Sequence, residues 1–289
     1  MRLERVYRTA AVVLRRQDFG EADRVLTCYS PTHGKFRALA KGVRRPQSRL
    51  GGHVEQFTHV NLLVALGRNL DIVTQAETIR PYAHLRDDLW KAAYACYAAE
   101  LVDRMTEERL ENRPVFDLFL ELLAYLDGMT GSAEPGEVRE APGGPAAPVE
   151  LAVRTFELQL LGRLGYAPEL YHCVQCGETL RPEEIRFSPS GGGTLCRACW
   201  PTHPGARPLS VTAIKAMRLM SQGPYRTFER LRLPAETGQE IEGALRAHVG
   251  YILERQLRTS EFLDRLKADR KRQPRKPAPP APAPAASAP

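Results

Sequence analysis

The sequence predicts an α+β chain: a small antiparallel β-barrel, then an α-helical bundle that carries a metal module. Three observations predict it. Apolar residues recur with a period near two before Pro81 and near 3.6 after it. Two Cys-x-x-Cys pairs, Cys173/Cys176 and Cys196/Cys199, are separated by nineteen residues of a Gly/Pro-rich insert. A content of 43% hydrophobic residues in 289 is enough for two domains with cores of their own.

The barrel is read from five short apolar runs, at residues 9–14, 25–29, 35–40, 54–64 and 70–76. Between them lie Gln17-Asp-Phe-Gly-Glu-Ala-Asp23, Ser30-Pro-Thr-His-Gly34, a long loop over 42–53 and the tight Gly67-Arg-Asn69 turn. Five short strands in about seventy residues fit a barrel of the oligonucleotide-binding type, the OB-fold, and the strand count also admits an SH3-like barrel.

Beyond Pro81, Leu85, Leu89, Ala92/Ala93, Cys96 and Ala99 make one helical stripe that ends near Leu110. Pro114 is placed to open the next helix, with Phe116, Phe119, Leu120, Leu123 and Leu126 inward and Gly128 past its end. Residues 128–148, with Gly143-Gly-Pro-Ala-Ala-Pro148, hold too few apolar side chains to pack and read as a flexible loop. Helix resumes through Leu151, Phe156, Leu160, Leu161 and Leu164 and stops at Gly165. After the insert, Ser210 caps a helix with Ile214, Met217 and Leu219 before Gly223-Pro224, and a longer helix runs from Thr237 through Ile241, Leu245, Val249, Ile252 and Leu257. From about Lys267 order is expected to fade, which makes Arg270-Lys-Arg-Gln-Pro-Arg-Lys276 a mobile cationic arm ahead of a Pro/Ala-rich tail. The domain division is therefore 1–81 barrel, 82–268 helical domain with the metal module at 171–204, and 269–289 disordered tail.

The four cysteines predict one structural Zn2+. Each pair sits in turn-forming sequence, and four thiolates close a tetrahedral shell at about 2.3 Å per bond with no position left for water or substrate. Two local disulfides or a redox pair are the alternatives, but a redox Cys-x-x-Cys follows a strand in a βαβ unit. No run approaches the roughly eighteen apolar residues of a membrane span, and the amino terminus lacks the core of a signal peptide, which places the chain in the cytoplasm, where thiols stay reduced. Cys28 and Cys96 stand alone and read as small apolar residues. No GxxxxGK[ST], GxGxxG, HExxH or GxSxG motif is present, so the chain reads as a binding protein, not an enzyme.

Charge is concentrated. Between residues 24 and 54 stand seven cations, Arg24, Lys35, Arg37, Lys41, Arg44, Arg45 and Arg49, and no Asp or Glu. Residues 265–276 hold seven more against Asp269, while the middle of the chain is acidic. Such focusing is the footprint of a polyanion binder. Strand alternation sets Lys35, Arg37 and Lys41 on one face and Phe36, Ala38 and Ala40 on the other, with Arg44, Arg45 and Arg49 in the following loop. Phe19, Tyr29, Phe36 and Phe57 are the barrel aromatics, each either core or a base platform, and phosphate contacts are expected to dominate over stacking.

Tyr7-Arg-Thr-Ala-Ala-Val-Val-Leu-Arg-Arg16, Gly20-Glu-Ala-Asp-Arg-Val25, Gly34-Lys-Phe-Arg-Ala-Leu-Ala-Lys-Gly-Val-Arg-Arg45, Leu164-Gly-Tyr-Ala-Pro168 and the cysteine cluster, in that order, resemble the bacterial recombination mediator family RecO. The resemblance implies an N-terminal OB-fold, a helical domain with a zinc module and a role in recombinational DNA repair. It also implies binding of single- and double-stranded DNA, annealing of complementary strands, and action with RecR to load RecA on DNA coated by the single-strand-binding protein. Carried over by position, the DNA contacts fall on Lys35, Arg37, Lys41, Arg44 and Arg45, with Arg24 and Arg49 beside them. Docking of the single-strand-binding protein's acidic tail falls on Lys215, Met217 and Arg218. A chain of this kind would sit at the nucleoid. A zinc-ribbon binding protein associated with transcription or translation is the other reading. The Pro/Ala tail and the 128–148 loop match no family feature.

Overall fold

The computed structural model describes residues 5–129, 147–182 and 184–272. Strands β1 (Val6–Phe19), β2 (Asp23–Ser30), β3 (Gly34–Ala40), β4 (His59–Ala65) and β5 (Asp71–Arg80) form a closed barrel in the order β1-β2-β3-β5-β4. All pairs are antiparallel except β3 with β5, where Ala38 and Leu39 run alongside Asp71 and Ile72. A parallel closure of this kind makes a Greek-key path, so the barrel is OB-like and the SH3-like alternative falls. Alternation sends Val13, Leu26, Cys28, Phe36, Ala38, Val60, Leu62 and Val64 into the barrel interior. Val12, Leu14 and Tyr29, on the outer face, join the core of the helical half instead.

Two strand boundaries differ from the sequence reading. β1 continues through Gln17-Asp-Phe19, expected as a turn, because a bulge between Val13 and Arg15 bends it into a second stretch of pairing with β2. Residues 54–58, expected as strand, form a buried turn with Phe57 at φ +67°, and β4 starts only at His59.

The helical half opens with α1 (Ala83–Asp87) and α2 (Leu89–Met105), which the sequence reading merged. They break at Asp88, whose extended backbone frees its carboxylate to accept from the Lys91 N–H at 2.8 Å. Past Met105 the chain leaves the helix and returns to the barrel, where the Arg109 N–H meets the Lys35 carbonyl at 2.8 Å. The Arg109 guanidinium reaches Asp71 and, at 3.0 Å, the Tyr7 hydroxyl. Gly34 lies under this loop at φ +58°, and a Cβ there would collide with the Leu110 backbone.

α3 (Arg113–Gly128) begins as expected, capped by Asn112 with Pro114 in its first turn. α4 (Pro148–Arg163) is the central helix, buried around its whole circumference, so it carries no one-sided stripe. It ends at Leu164-Gly165, where Gly165 has φ +82° and the Tyr166 N–H returns to the Leu161 carbonyl at 2.8 Å. The cysteine insert forms a three-stranded sheet, β6 (Arg186–Ser188), β7 (Gly193–Leu195) and β8 (Arg207–Pro208). α5 (Val211–Gln222) starts at Ser210, whose hydroxyl accepts from the Ala213 N–H at 3.1 Å.

The last expected helix is two, α6 (Ala235–Ile252) and α7 (Arg258–Arg272), split by a turn with Glu254 at φ +55°. Order does not fade at Lys267: α7 packs on α2, and the first-turn N–H of Thr259 meets the Glu100 carboxylate at 2.9 Å. Most of the 128–148 loop and of the basic tail lies outside the described residues.

Candidate metal centre and nucleic-acid interface

The metal centre is built from two knuckles. After Cys176 the chain turns on Gly177, at φ +75°, and the Gly177 N–H closes on the Cys173 carbonyl at 2.8 Å. The second knuckle closes through the N–H groups of Cys199 and Trp200 on the Cys196 carbonyl, each at 3.1 Å. All four sulfurs then lie within 4.8 Å of one another, with Cys176 and Cys196 at 3.9 Å. Four sulfurs about 2.3 Å from one ion stand about 3.8 Å apart, so the set fits a tetrahedral thiolate site and can hold a metal ion. Burial raises the Cys173 thiol, but the N–H groups of Cys196, Cys176 and Gln175 outweigh it and bring the thiol down to about 6. The hydrogen bond with Cys196 is the first cause that pushes Cys199 up to about 12. The backbone N–H groups around Cys173 thus favour the thiolate form that a metal ion requires of its cysteine ligands. His172 and His203 flank the cluster but turn to Glu169 and Gln175. Cys28 is buried in β2 and Cys96 half-buried on α2.

On the barrel, the strand register places Arg15, Thr27 and Arg37 in one row across β1, β2 and β3. Both arginines are exposed, as are Lys41, Arg44, Arg45 and Arg49 in the loop after β3. The loop is fastened to the β1–β2 hairpin by the Gly42 N–H on the Asp23 carboxylate at 2.7 Å and the Arg44 N–H on the Ala22 carbonyl at 2.9 Å.

The linear acid-free run acquires acids in space. Arg24 is half-buried between Asp18 at 2.9 Å and Glu55 at 3.2 Å, Arg16 also pairs with Glu55, and Arg44 stands 3.5 Å from Asp18. The Arg24 hydrogen bond is the leading cause that holds the Asp18 carboxyl below its ordinary range. Lys35 does not share the face of Arg37 as a free cation. Its side chain is only 12% exposed, and its ammonium donates to the carbonyls of Asp103 and, at 2.7 Å, Thr106, at the end of α2. Arg15, Arg37, Lys41, Arg45 and Arg49 form no ion pair among the described residues. Arg15 escaped the sequence reading because only the pairing register carries it to Arg37. Tyr29, Phe36 and Phe57 are core, whereas Phe19 is 55% exposed at the hairpin tip.

Comparison with known proteins covers both halves. The family model described as Recombination protein O N terminal matches residues 1–82, and that described as Recombination protein O C terminal matches 86–138 and 143–261. The chain belongs to the RecO family. Curated relatives include the DNA repair protein RecO of Roseiflexus sp. (strain RS-1), 42% identical over 261 residues that cover 90% of this chain and 86% of that protein. That of Symbiobacterium thermophilum is 34% identical over 267 residues, 92% of this chain and 99% of its own length. That of Dehalococcoides mccartyi is 33% identical over 260 residues, 90% and 96%.

Within this RecO-family chain, the three positions read for a partner's tail do not line one surface. Met217 is wholly buried in the helical core, and Arg218 is spent on the Leu170 carbonyl, 2.9 Å from its Nε, with its guanidinium 4.2 Å above the Tyr171 ring. Lys215 alone is exposed, with exposed Leu219 one turn on. Among the described residues no helix is long and apolar enough to cross a membrane.

Proposed function

We propose that this protein is a non-enzymatic mediator of recombinational DNA repair. It binds single- and double-stranded DNA on the barrel, anneals complementary strands and, with RecR, helps load RecA on DNA coated by the single-strand-binding protein. The observation that carries the reading is the set of exposed cations without an ion pair among the described residues, Arg15, Arg37, Lys41, Arg45 and Arg49, held on β1, β3 and a fastened loop of an OB-like barrel. Phosphates that meet such cations release counterions, which yields affinity without sequence readout. Annealing brings two polyanions together, and a cationic face that screens both lowers their repulsion. Arg24 and Arg44 belong to the rim of this face, where Asp18 holds them in place. The helical domain, 82–268, is a scaffold whose four-cysteine module holds one structural Zn2+. Action on DNA places the protein in the cytoplasm, at the nucleoid. For the acidic tail of the single-strand-binding protein, Lys215 and Leu219 offer a cation and an apolar contact on the outer side of α5, with Met217 supporting the helix from beneath.

The test is an Arg45→Glu/Arg49→Glu variant in duplex binding across a salt series and in oligonucleotide annealing. Each lost phosphate contact removes roughly 0.9 from the slope of log K on log salt, so the pair should remove about 1.8 and slow annealing. A folded variant with wild-type slope and annealing would move the DNA site elsewhere. A wild-type protein that anneals nothing would favour a zinc-ribbon binding protein of another class.

A further inference from the structure

We infer that Phe19 is a base-stacking platform that gives the barrel its preference for single-stranded over duplex DNA; this rests on the DNA-binding reading above and specifies how one strand is held. Phe19 is the last residue of β1, and Gly20, at φ +57°, turns the chain immediately after it. The residue is exposed, and its ring stacks on no other ring among the described residues. Leaving a phenylalanine on a tight hairpin tip sacrifices apolar burial that every other barrel aromatic obtains.

The surroundings say what covers it. Register pairs Phe19 with Asp23, so the two side chains share one side of the hairpin, and the Asp23 carboxylate is where the Gly42 N–H fastens the cationic loop. The Arg44 guanidinium closes over the tip onto the Gly20 carbonyl at 3.5 Å. The exposed aromatic therefore sits on the hairpin to which the loop carrying Lys41, Arg44 and Arg45 is fastened. Acids are present too: Asp18 is taken up by Arg24 and Arg44, and Glu21 remains exposed at the tip. Lys41 and Arg45 form no ion pair among the described residues, so the loop fastened to this hairpin keeps free positive charge for an anion. An apolar face flanked by cations fits a nucleotide whose phosphates run along the loop and whose unstacked base lies on the ring. Base pairs inside a duplex keep both faces covered by their neighbours, so away from the duplex ends the platform is open to unpaired bases alone. In five-stranded barrels of this type the β1–β2 loop is one of the two that border the oligonucleotide.

The experiment uses the full chain and three probes of equal phosphate number: oligothymidylate, its abasic analogue and a blunt duplex, read by fluorescence anisotropy over a salt series. Phe19→Ala should weaken oligothymidylate binding about 5- to 150-fold, the worth of one stacked base, with unchanged salt slope and unchanged affinity for the abasic and duplex probes. Phe19→Trp should keep single-strand affinity, and its emission should be quenched by oligothymidylate but not by the abasic probe. Equal losses on all three probes, or a Phe19→Ala affinity for oligothymidylate within twofold of wild type, would overturn the platform while leaving the cationic face standing. A wild-type protein that binds none of the three would overturn both.

Discussion

On the barrel, Arg37, Lys41, Arg45 and Arg49 stand exposed with no carboxylate opposite them among the described residues, whereas inside the helical half one group of charges, Arg154, Glu157, Glu242 and Lys267, is enclosed and answered. Arg154 lies buried 3.0 Å from Glu157, the Tyr97 hydroxyl donates to the same carboxylate, and the Arg154 guanidinium rests 5.5 Å from the Tyr97 ring centre. Lys267 bridges Glu150 at 3.1 Å and Glu242 at 2.9 Å. Burial raises the Glu242 carboxyl, but Arg154 and Lys267 outweigh it and carry it from its ordinary 4.5 to about 2. A buried charge is tolerated only when paired, because desolvation costs more than an isolated ion can recover; an exposed one can wait for a ligand. The same residue types therefore hold the helical bundle together and leave the barrel free to bind.

The largest break in that contrast comes from the four cysteines. Under the proposed structural Zn2+ site, Cys176→Ser removes a ligand and with it folding energy, apparent values being of order 10 kcal/mol for structural zinc. The variant should bind no zinc by elemental analysis and should aggregate or unfold cooperatively at markedly lower temperature. Metal-free wild type of undiminished melting temperature would refute a structural role.

The next effect is internal to the helices. Arg154→Met leaves Glu157 buried without its cation and should cost about 3–5 kcal/mol in chemical denaturation. The pH limb shows the sign. In the wild type the Glu242 carboxyl titrates lower folded than unfolded, so its stabilisation is complete above about 4.5 and is lost as pH falls toward about 2. Without Arg154 the folded carboxyl rises, and the acid midpoint should move to higher pH. An acid midpoint equal to that of wild type would mean that Lys267 alone holds Glu242. Duplex affinity should be unchanged in the folded variant, which is what separates the two halves.

What was legible in the sequence is what short-range chemistry fixes. The change of period at Pro81, the two knuckles, the Ser210 cap and the Pro114 start depend on neighbours within a few residues, and each stands where the sequence reading put it. The central helix was located but not ranked as central, since burial on all sides erases the stripe that marks a helix face. α7 was missed because its charges, which read as solvated tail, are anchored by Glu150 and Glu242 on other helices. On α5, Ile214 and Met217, three residues apart, share the buried face with Ala213 and Met220, but Leu219, two residues past Met217, falls on the outer side. The candidate DNA face was legible as a run of cations, but not which of them are free: Asp18 and Glu55 flank the run, and Lys35's partner Asp103 lies sixty-eight residues on.

Lys35 gives the smallest and sharpest test, because it is the barrel cation that behaves like a helical one. Its ammonium caps the carbonyl end of α2, where a cation also meets the negative end of the helix dipole, and the Arg109 N–H on its own carbonyl adds a second tie between barrel and bundle. Lys35→Met keeps the length of the stem and removes the charge, so it should cost about 1–2 kcal/mol and lower the melting temperature by a few degrees, roughly 2–4 °C per kcal/mol for a chain of this order of size. Its duplex salt slope should match wild type, in contrast to Arg45→Glu/Arg49→Glu. The reverse pattern, a slope reduced by about 0.9 with an unchanged melting temperature, would mean that DNA draws the ammonium away from α2, and would return Lys35 to the phosphate-binding set.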